Sequence, residues 1–236
     1  MSATLDNVIL FGSPISPFVD KVGRALRVKR VPYTLREPQT PFDLGRWNPR
    51  TGKMPVLEIA GDREYDSTFI LRRLDRLVAE PPLYSADPST AARQRFVEDW
   101  SDESLYWYGM ALRWSDANAP ATADQIAASL PVPAFARPLM RPVLRWQIGS
   151  QAHAQGLGRL PLERVLDELA RRLDEIQVLL GDTPFFFGTQ PSAADLAVAS
   201  QLRMLRSGPT PQAAELIQQR PALAAYAARI DAATAA

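Results

Sequence analysis

The 236-residue sequence has no cysteine, one histidine and three lysines, and none of its apolar runs is long enough to span a membrane. Without cysteine the chain has no disulfide, no thiolate metal site and no thiol nucleophile of its own. The single histidine, His153, lies in a Gln- and Ala-rich stretch and reads as an ordinary helix-end residue; no metal site is expected. Lysine occurs only at Lys21, Lys29 and Lys53, and arginine supplies the rest of the positive charge. With 27 basic and 26 acidic residues the net charge is +1, so no overall field favours nucleic acid or an anionic membrane. Like-charge pairs such as Arg171-Arg172 read as solvated helix faces. Met1 to Asn7 has neither a basic segment nor a long apolar one, so no secretory signal is read and a cytoplasmic protein is expected.

What is present fits a soluble globular chain: 46% hydrophobic and 22% charged residues, enough to bury a substantial core. The most informative stretch is Lys53 to Ile70. Val56 to Ile59 is an apolar, β-branched run, Gly61-Asp62 supplies a turn, and Arg63-Glu64-Tyr65 leads back. Asp66 and Ser67 then open a helix whose apolar positions are Phe69, Ile70, Leu71 and Leu74. Pro55 stands just before the first strand, where its missing N–H costs no ladder bond. A cis bond there would turn the backbone of Met54 outward, offering one N–H and one C=O to another peptide. Asp66 would accept a cation, and the helix start at Ser67 would favour an anion. Together these groups would suit a small zwitterionic peptide.

Upstream, Asn7 to Phe11 reads as a buried strand ended by Gly12. Ser16-Pro17 has the form of an N-cap followed by proline at the first helical position. The helix it opens is broken by Pro32, and Tyr33 to Arg36 is a second strand. Phe42 to Trp47 reads as a short helix. The resulting order, βαβαββα, is the thioredoxin-like arrangement, with an α/β fold over residues 1–80. Prolines 81, 82 and 88 mark a linker over 81–88. Residues 89–236 are expected to form an all-α domain. Helical spacing is clear from Leu160 to Leu180, whereas the five prolines between Ala119 and Pro142 predict an irregular excursion. Ser192 and Asp195 have capping-box form ahead of an apolar helix and are assigned to folding.

These features resemble the glutathione S-transferase family. Met54-Pro55-Val56-Leu57 matches its cis-proline run, and Asp66-Ser67 matches its acidic-Ser helix start, with Asp where Glu is more frequent. Phe185 to Asp195 resembles the element ahead of the family's core helix. The resemblance spans both domains. It implies glutathione as co-substrate, bound by Met54, Pro55, Asp66 and Ser67, with Lys53 either pairing with the glycyl carboxylate or simply solvated, and Arg46 a weaker choice. It also implies a homodimer acting on a hydrophobic electrophile. Ser16-Pro17-Phe18 matches the residues that ionise the thiol in serine-type members. Its other reading is a helix cap alone, and Ser13 is the fallback. Phe11 stands where a tyrosine-type mechanism would need Tyr, and the absence of cysteine argues against thiol-exchange activities. Trp100, Trp107 and Trp114 lie seven residues apart, with Phe96 and Met110 near the same stripe; this pattern reads as buried packing. The family's cleft implies Tyr106, Tyr108, Met110 and Trp114 as substrate contacts. The alternative to an enzyme is a family-like protein that binds glutathione or another ligand without chemistry.

Overall fold

The computed structural model describes residues 5–40, 42–130 and 132–235; Met1 to Thr4, Pro41 and Pro131, which entered the sequence reading, lie outside these. The first half is a four-stranded mixed sheet with helices. Strands β1 (Val8–Phe11), β2 (Thr34–Arg36), β3 (Val56–Ile59) and β4 (Asp62–Tyr65) are ordered β2-β1-β3-β4. The apolar run of β1 is central: parallel to β2, with Leu10 opposite Leu35, and antiparallel to β3, with Leu10 opposite Leu57. Gly12 ends it at φ +151, and a Cβ there would meet Val19 Cγ2 at 2.4 Å and Met54 Cβ at 3.3 Å. The close approach of three segments at this point therefore depends on glycine.

Helix α1 (Pro17–Val28) is capped by Ser16, with Pro17 at its first position. It packs Val22, Ala25 and Leu26 into the sheet core. Helices α2 (Asp43–Trp47) and α3 (Ser67–Leu77) complete this half. Met54-Pro55 and Glu80-Pro81 are cis.

The rest of the described chain is helical: α4 (Pro88–Trp100), α5 (Tyr106–Arg113), α6 (Ala119–Ser129), α7 (Arg137–Leu144), α8 (Ser150–Gln155), α9 (Leu162–Leu180), α10 (Ala193–Ser207), α11 (Pro211–Gln218) and α12 (Pro221–Ala233). Its core joins Leu169, Leu173 and Ile176 of α9 to Val198 and Leu202 of α10 and Tyr226 of α12. Helix α10 is buried almost along its whole length and also packs on α1, with Ala193 and Leu196 lying in the core of the first half.

Two expectations are corrected. Ala119 to Pro142 is not irregular: α6 and most of α7 lie there, because Pro120 and Pro138 fall in first helical turns, where a missing N–H costs nothing. Pro142 does sit inside α7, and a π-helical turn, Arg145–Gly149, follows. The aromatic stripe is not one buried face either. A π turn over Ser101–Leu105 joins α4 to α5 and breaks the helical period. Phe96 is left 75% exposed, Trp100 packs on the α9 core, and Trp107 and Trp114 pack with α6 and α8 instead.

Candidate functional site

The structure brings Ser16, Met54-Pro55 and Asp66-Ser67 to the ends of β1, the entry to β3 and the start of α3, around the Gly12 crossing. Ser16 is half-buried, and its Oγ accepts one long bond from the Val19 N–H at 3.4 Å. Accepting leaves the hydroxyl proton free to donate. Ser13 is buried, its N–H points at Met54 Sδ at 3.2 Å, and its Oγ has no partner. Ser16 and Ser13 thus differ: the first is an accessible cap, the second an enclosed hydroxyl at the same loop. The backbone N–H and C=O of Met54 make no hydrogen bond with the backbone of the described residues. Asp66 holds φ +72, ψ 133, outside the usual range for a residue with a side chain. The surrounding structure maintains that strain, and strained residues of this kind gather at functional sites. Its Oδ1 accepts from the Thr68 N–H at 2.9 Å and the Phe69 N–H at 3.4 Å, and its carboxylate remains exposed. Ser67 is buried at the first position of α3. Lys53 is exposed, and its carbonyl accepts from Asn48 Nδ2. Arg46 is exposed and lies 3.6 Å from Asp43.

The proposed cleft residues separate. Tyr106 faces the site, its ring 4.9 Å from that of Phe18 and also against Trp107. Tyr108, two positions on, points the opposite way into the α9 core, as residues two apart on a helix must; it is not a cleft residue. Met110 and Trp114 are buried with Ala119, Ala123 and Leu144. Trp114 instead lines a separate cavity of about 610 Å³, with Arg145, His153 and Leu160. A second, apolar groove of about 640 Å³ lies between Phe96, Trp100, Leu179 and Phe186.

Sequence reasoning missed the polar seam beneath the site. Lys21 of α1 is buried between Asp102 at 2.5 Å and Glu98 at 2.7 Å, and also reaches Thr68 of α3 at 3.2 Å. Burial opposes its charge, but Asp102 and Glu98 outweigh that and raise its pKa. Burial pushes the Asp102 carboxyl up to about 6 against the pull of Lys21, and the charges of Glu98 and Asp66 add to the rise. Glu98 also accepts from the Tyr84 hydroxyl at 2.8 Å. Arg203 of α10 donates to the Pro14 carbonyl at 2.6 Å and lies 3.0 Å from Asp20, so α10 braces the Ser13–Ser16 loop from the other half. The available signal was a lysine inside an amphipathic helix together with Glu98 and Asp102 four residues apart.

Residues 10–82 match the family model for the glutathione S-transferase N-terminal domain, and residues 161–229 match the one for the C-terminal domain. The chain belongs to the glutathione S-transferase family. It is 32% identical over 108 residues to "Glutathione S-transferase U9" of Arabidopsis thaliana, a match covering 43% of this chain and 44% of that protein. The chain thus spans less than half the length of that curated relative. Among solved structures, the Beta-etherase LigF from Sphingobium sp. strain SYK-6 aligns with a TM-score of 0.70 at 20% identity, covering 96% of this chain and 95% of that one. Rice GST1 in complex with glutathione aligns with a TM-score of 0.66 at 23% identity, covering 95% of this chain and 86% of that one. At these identities the structural likeness establishes the fold.

Proposed function

We propose that this chain is a serine-type glutathione transferase, acting in the cytoplasm as a homodimer. The observation that carries this reading is Ser16: a half-buried hydroxyl at the N-terminus of α1 whose proton is uncommitted. Glutathione would lie along the cis Met54-Pro55 turn, exchanging backbone hydrogen bonds with Met54. Its ammonium would meet the Asp66 carboxylate, a carboxylate would meet the α3 start at Ser67, and Lys53 would hold the glycyl end. Ser16 would then donate to the sulfur. A free thiol titrates near pH 8.5, so a downward shift of about two units needs roughly 2.7 kcal/mol. One charge-assisted hydrogen bond and a helix N-terminus supply about that. The thiol proton leaves to solvent. With an aryl halide the sulfur forms the C–S bond and halide departs with its bonding pair.

The electrophile would lie on the Tyr106 side of the loop, against Phe18. Phe69 and Phe96 are exposed aromatics on α3 and α4 that a second copy would cover. Thiolate absorbance of bound glutathione, followed against pH, tests the catalytic reading. A bound thiol titrating well below its free value supports a transferase; binding with an unshifted thiol replaces it with a protein that only holds the ligand.

A further inference from the structure

Arg113, at the C-terminal end of α5, is 6% exposed and has no carboxylate within ion-pair distance among the described residues. One guanidinium nitrogen donates to Gln125 Oε1 of α6 at 2.6 Å. The other guanidinium nitrogens make no hydrogen bond among the described residues and are not sealed from solvent. Burial disfavours its charge, offset only in part by Tyr106, seven residues earlier. Arginine does not shed its proton in proteins, so the charge remains. A buried charge normally has a counter-charge. The negative end of α5 offsets part of this one.

The surroundings are arranged around the guanidinium. A Cβ on Gly208, just beyond α10, would stand 2.6 Å from the Met204 carbonyl oxygen and 2.8 Å from an Arg113 nitrogen, so the guanidinium lies close against the backbone there. Thr122 of α6 donates to the Arg113 carbonyl at 2.7 Å and fixes the end of α5. Seven residues make nearly two turns, so Arg113 shares the face of Tyr106 about 10 Å further along the axis. Tyr106 touches Phe18, two residues after Ser16, and Arg203, five residues before Gly208, holds Pro14. Thus α5 and α10 both run from the Ser13–Ser16 loop towards Arg113.

We propose that Arg113 is the anion-recognising end of the electrophile cleft, selecting second substrates that carry a carboxylate about one aromatic ring away from the reacting carbon. This rests on the cleft assignment above and names its substrate class. The carboxylate would take the guanidinium donors that Gln125 leaves, and the electrophilic carbon would point back along Tyr106 towards Ser16.

Calorimetry with two unreactive probes, 3-nitrobenzoate and its neutral analogue 3-nitrobenzamide, tests the assignment without requiring turnover. The wild-type chain is expected to bind the benzoate about tenfold to a hundredfold more tightly than the amide, the scale of a charge-assisted hydrogen bond. Arg113→Met should abolish that preference and leave the amide unchanged, while Arg113→Lys should keep part of it. Because Met removes an uncompensated buried charge, thermal stability of Arg113→Met should hold or rise. Equal binding of the two probes by the wild type overturns the proposal. So does a preference that survives in Arg113→Met. If Arg113→Met does not fold, the wild-type comparison and Arg113→Lys still decide. In a separate arm, glutathione is supplied with 4-chloro-3-nitrobenzoate or 4-chloro-3-nitrobenzamide. Turnover of neither sinks the transferase reading while leaving the binding result intact.

Discussion

Lys21 of α1 and Asp102 of the π turn meet at 2.5 Å across the seam between the two halves, where only 1% of the lysine side chain is exposed. Glu98 makes the cluster one cation against two acids. Removing the cation strands two buried carboxylates. Lys21→Met should therefore cost about 3–5 kcal/mol, the scale for breaking a buried pair. Asp102→Asn leaves a balanced Lys21–Glu98 pair and should not destabilise the fold at neutral pH. Urea unfolding of both variants checks this; a mild Lys21→Met would mean the cluster is hydrated.

The same cluster sets a pH dependence. Burial raises the Asp102 carboxyl in the fold to about 6, from its ordinary 3.8. Between those values the folded state keeps a proton that the unfolded chain has released. Stability contributed by this group is therefore complete below about pH 4, declines as pH rises towards 6, and is flat above. Asp102→Asn should remove that slope. Lys21, with its pKa raised, stays charged throughout this window. Urea midpoints measured from pH 4 to pH 7 for both proteins give the comparison. An identical slope in wild type and variant assigns the titration to another group.

At the proposed thiol site, Ser16→Ala should leave glutathione affinity nearly unchanged and raise the bound thiol pKa by about one to two units. Rates with model electrophiles at neutral pH should fall with the lost thiolate, less the gain in its intrinsic nucleophilicity. If Ser13→Ala alone produces the shift, the buried hydroxyl beside Met54 is the donor.

Asp66→Ala tests the other end of glutathione. Loss of a charge-assisted hydrogen bond should weaken binding by about 1.5–3 kcal/mol. Direct calorimetric titration reads this, and an unchanged dissociation constant removes Asp66 from the site.

Asp195 is expected to matter more than a helix cap. Its carboxylate accepts from the Ser192 N–H and hydroxyl, the Phe186 N–H and the Tyr226 hydroxyl, all at 2.7 to 3.1 Å. A lost cap alone costs about 1 kcal/mol. Leaving buried donors unpaired adds about 1–3 kcal/mol each, so Asp195→Ala should lose about 3 kcal/mol or more. Thermal unfolding checks the magnitude, and glutathione affinity of the folded fraction should not move.

Much of this was legible from local signals. Proline, glycine and capping residues marked the strands and the starts of α1, α3 and α10, because each acts within a few residues of itself. The capping box was readable from Ser192 and Asp195, but the bonds from Phe186 and Tyr226 were not, since Tyr226 arrives from 31 residues away. The prolines of α6 and α7 misled because composition does not say which helical position a proline will occupy. The tryptophan spacing misled because one π turn resets the face, and no residue type announces it. Arg113 could not be told apart from the chain's other arginines: its burial depends on Gly208 and Gln125, which the fold alone brings to it.

The bracing of α1 by α10 has a consequence for how the chain can be divided. Ala193 and Leu196 sit inside the first half's core, the Ala193 N–H bonds the Leu83 carbonyl, and Arg24 reaches Asp231 and Thr234 near the C-terminus. The half carrying the proposed thiol site is not a portable cassette. Cut at the proline-rich connection, it would expose two buried cations and lose the support under its own loop. A hybrid with another helical half would have to bring along the face of α10, because the true seam follows that helix and not the connecting loop.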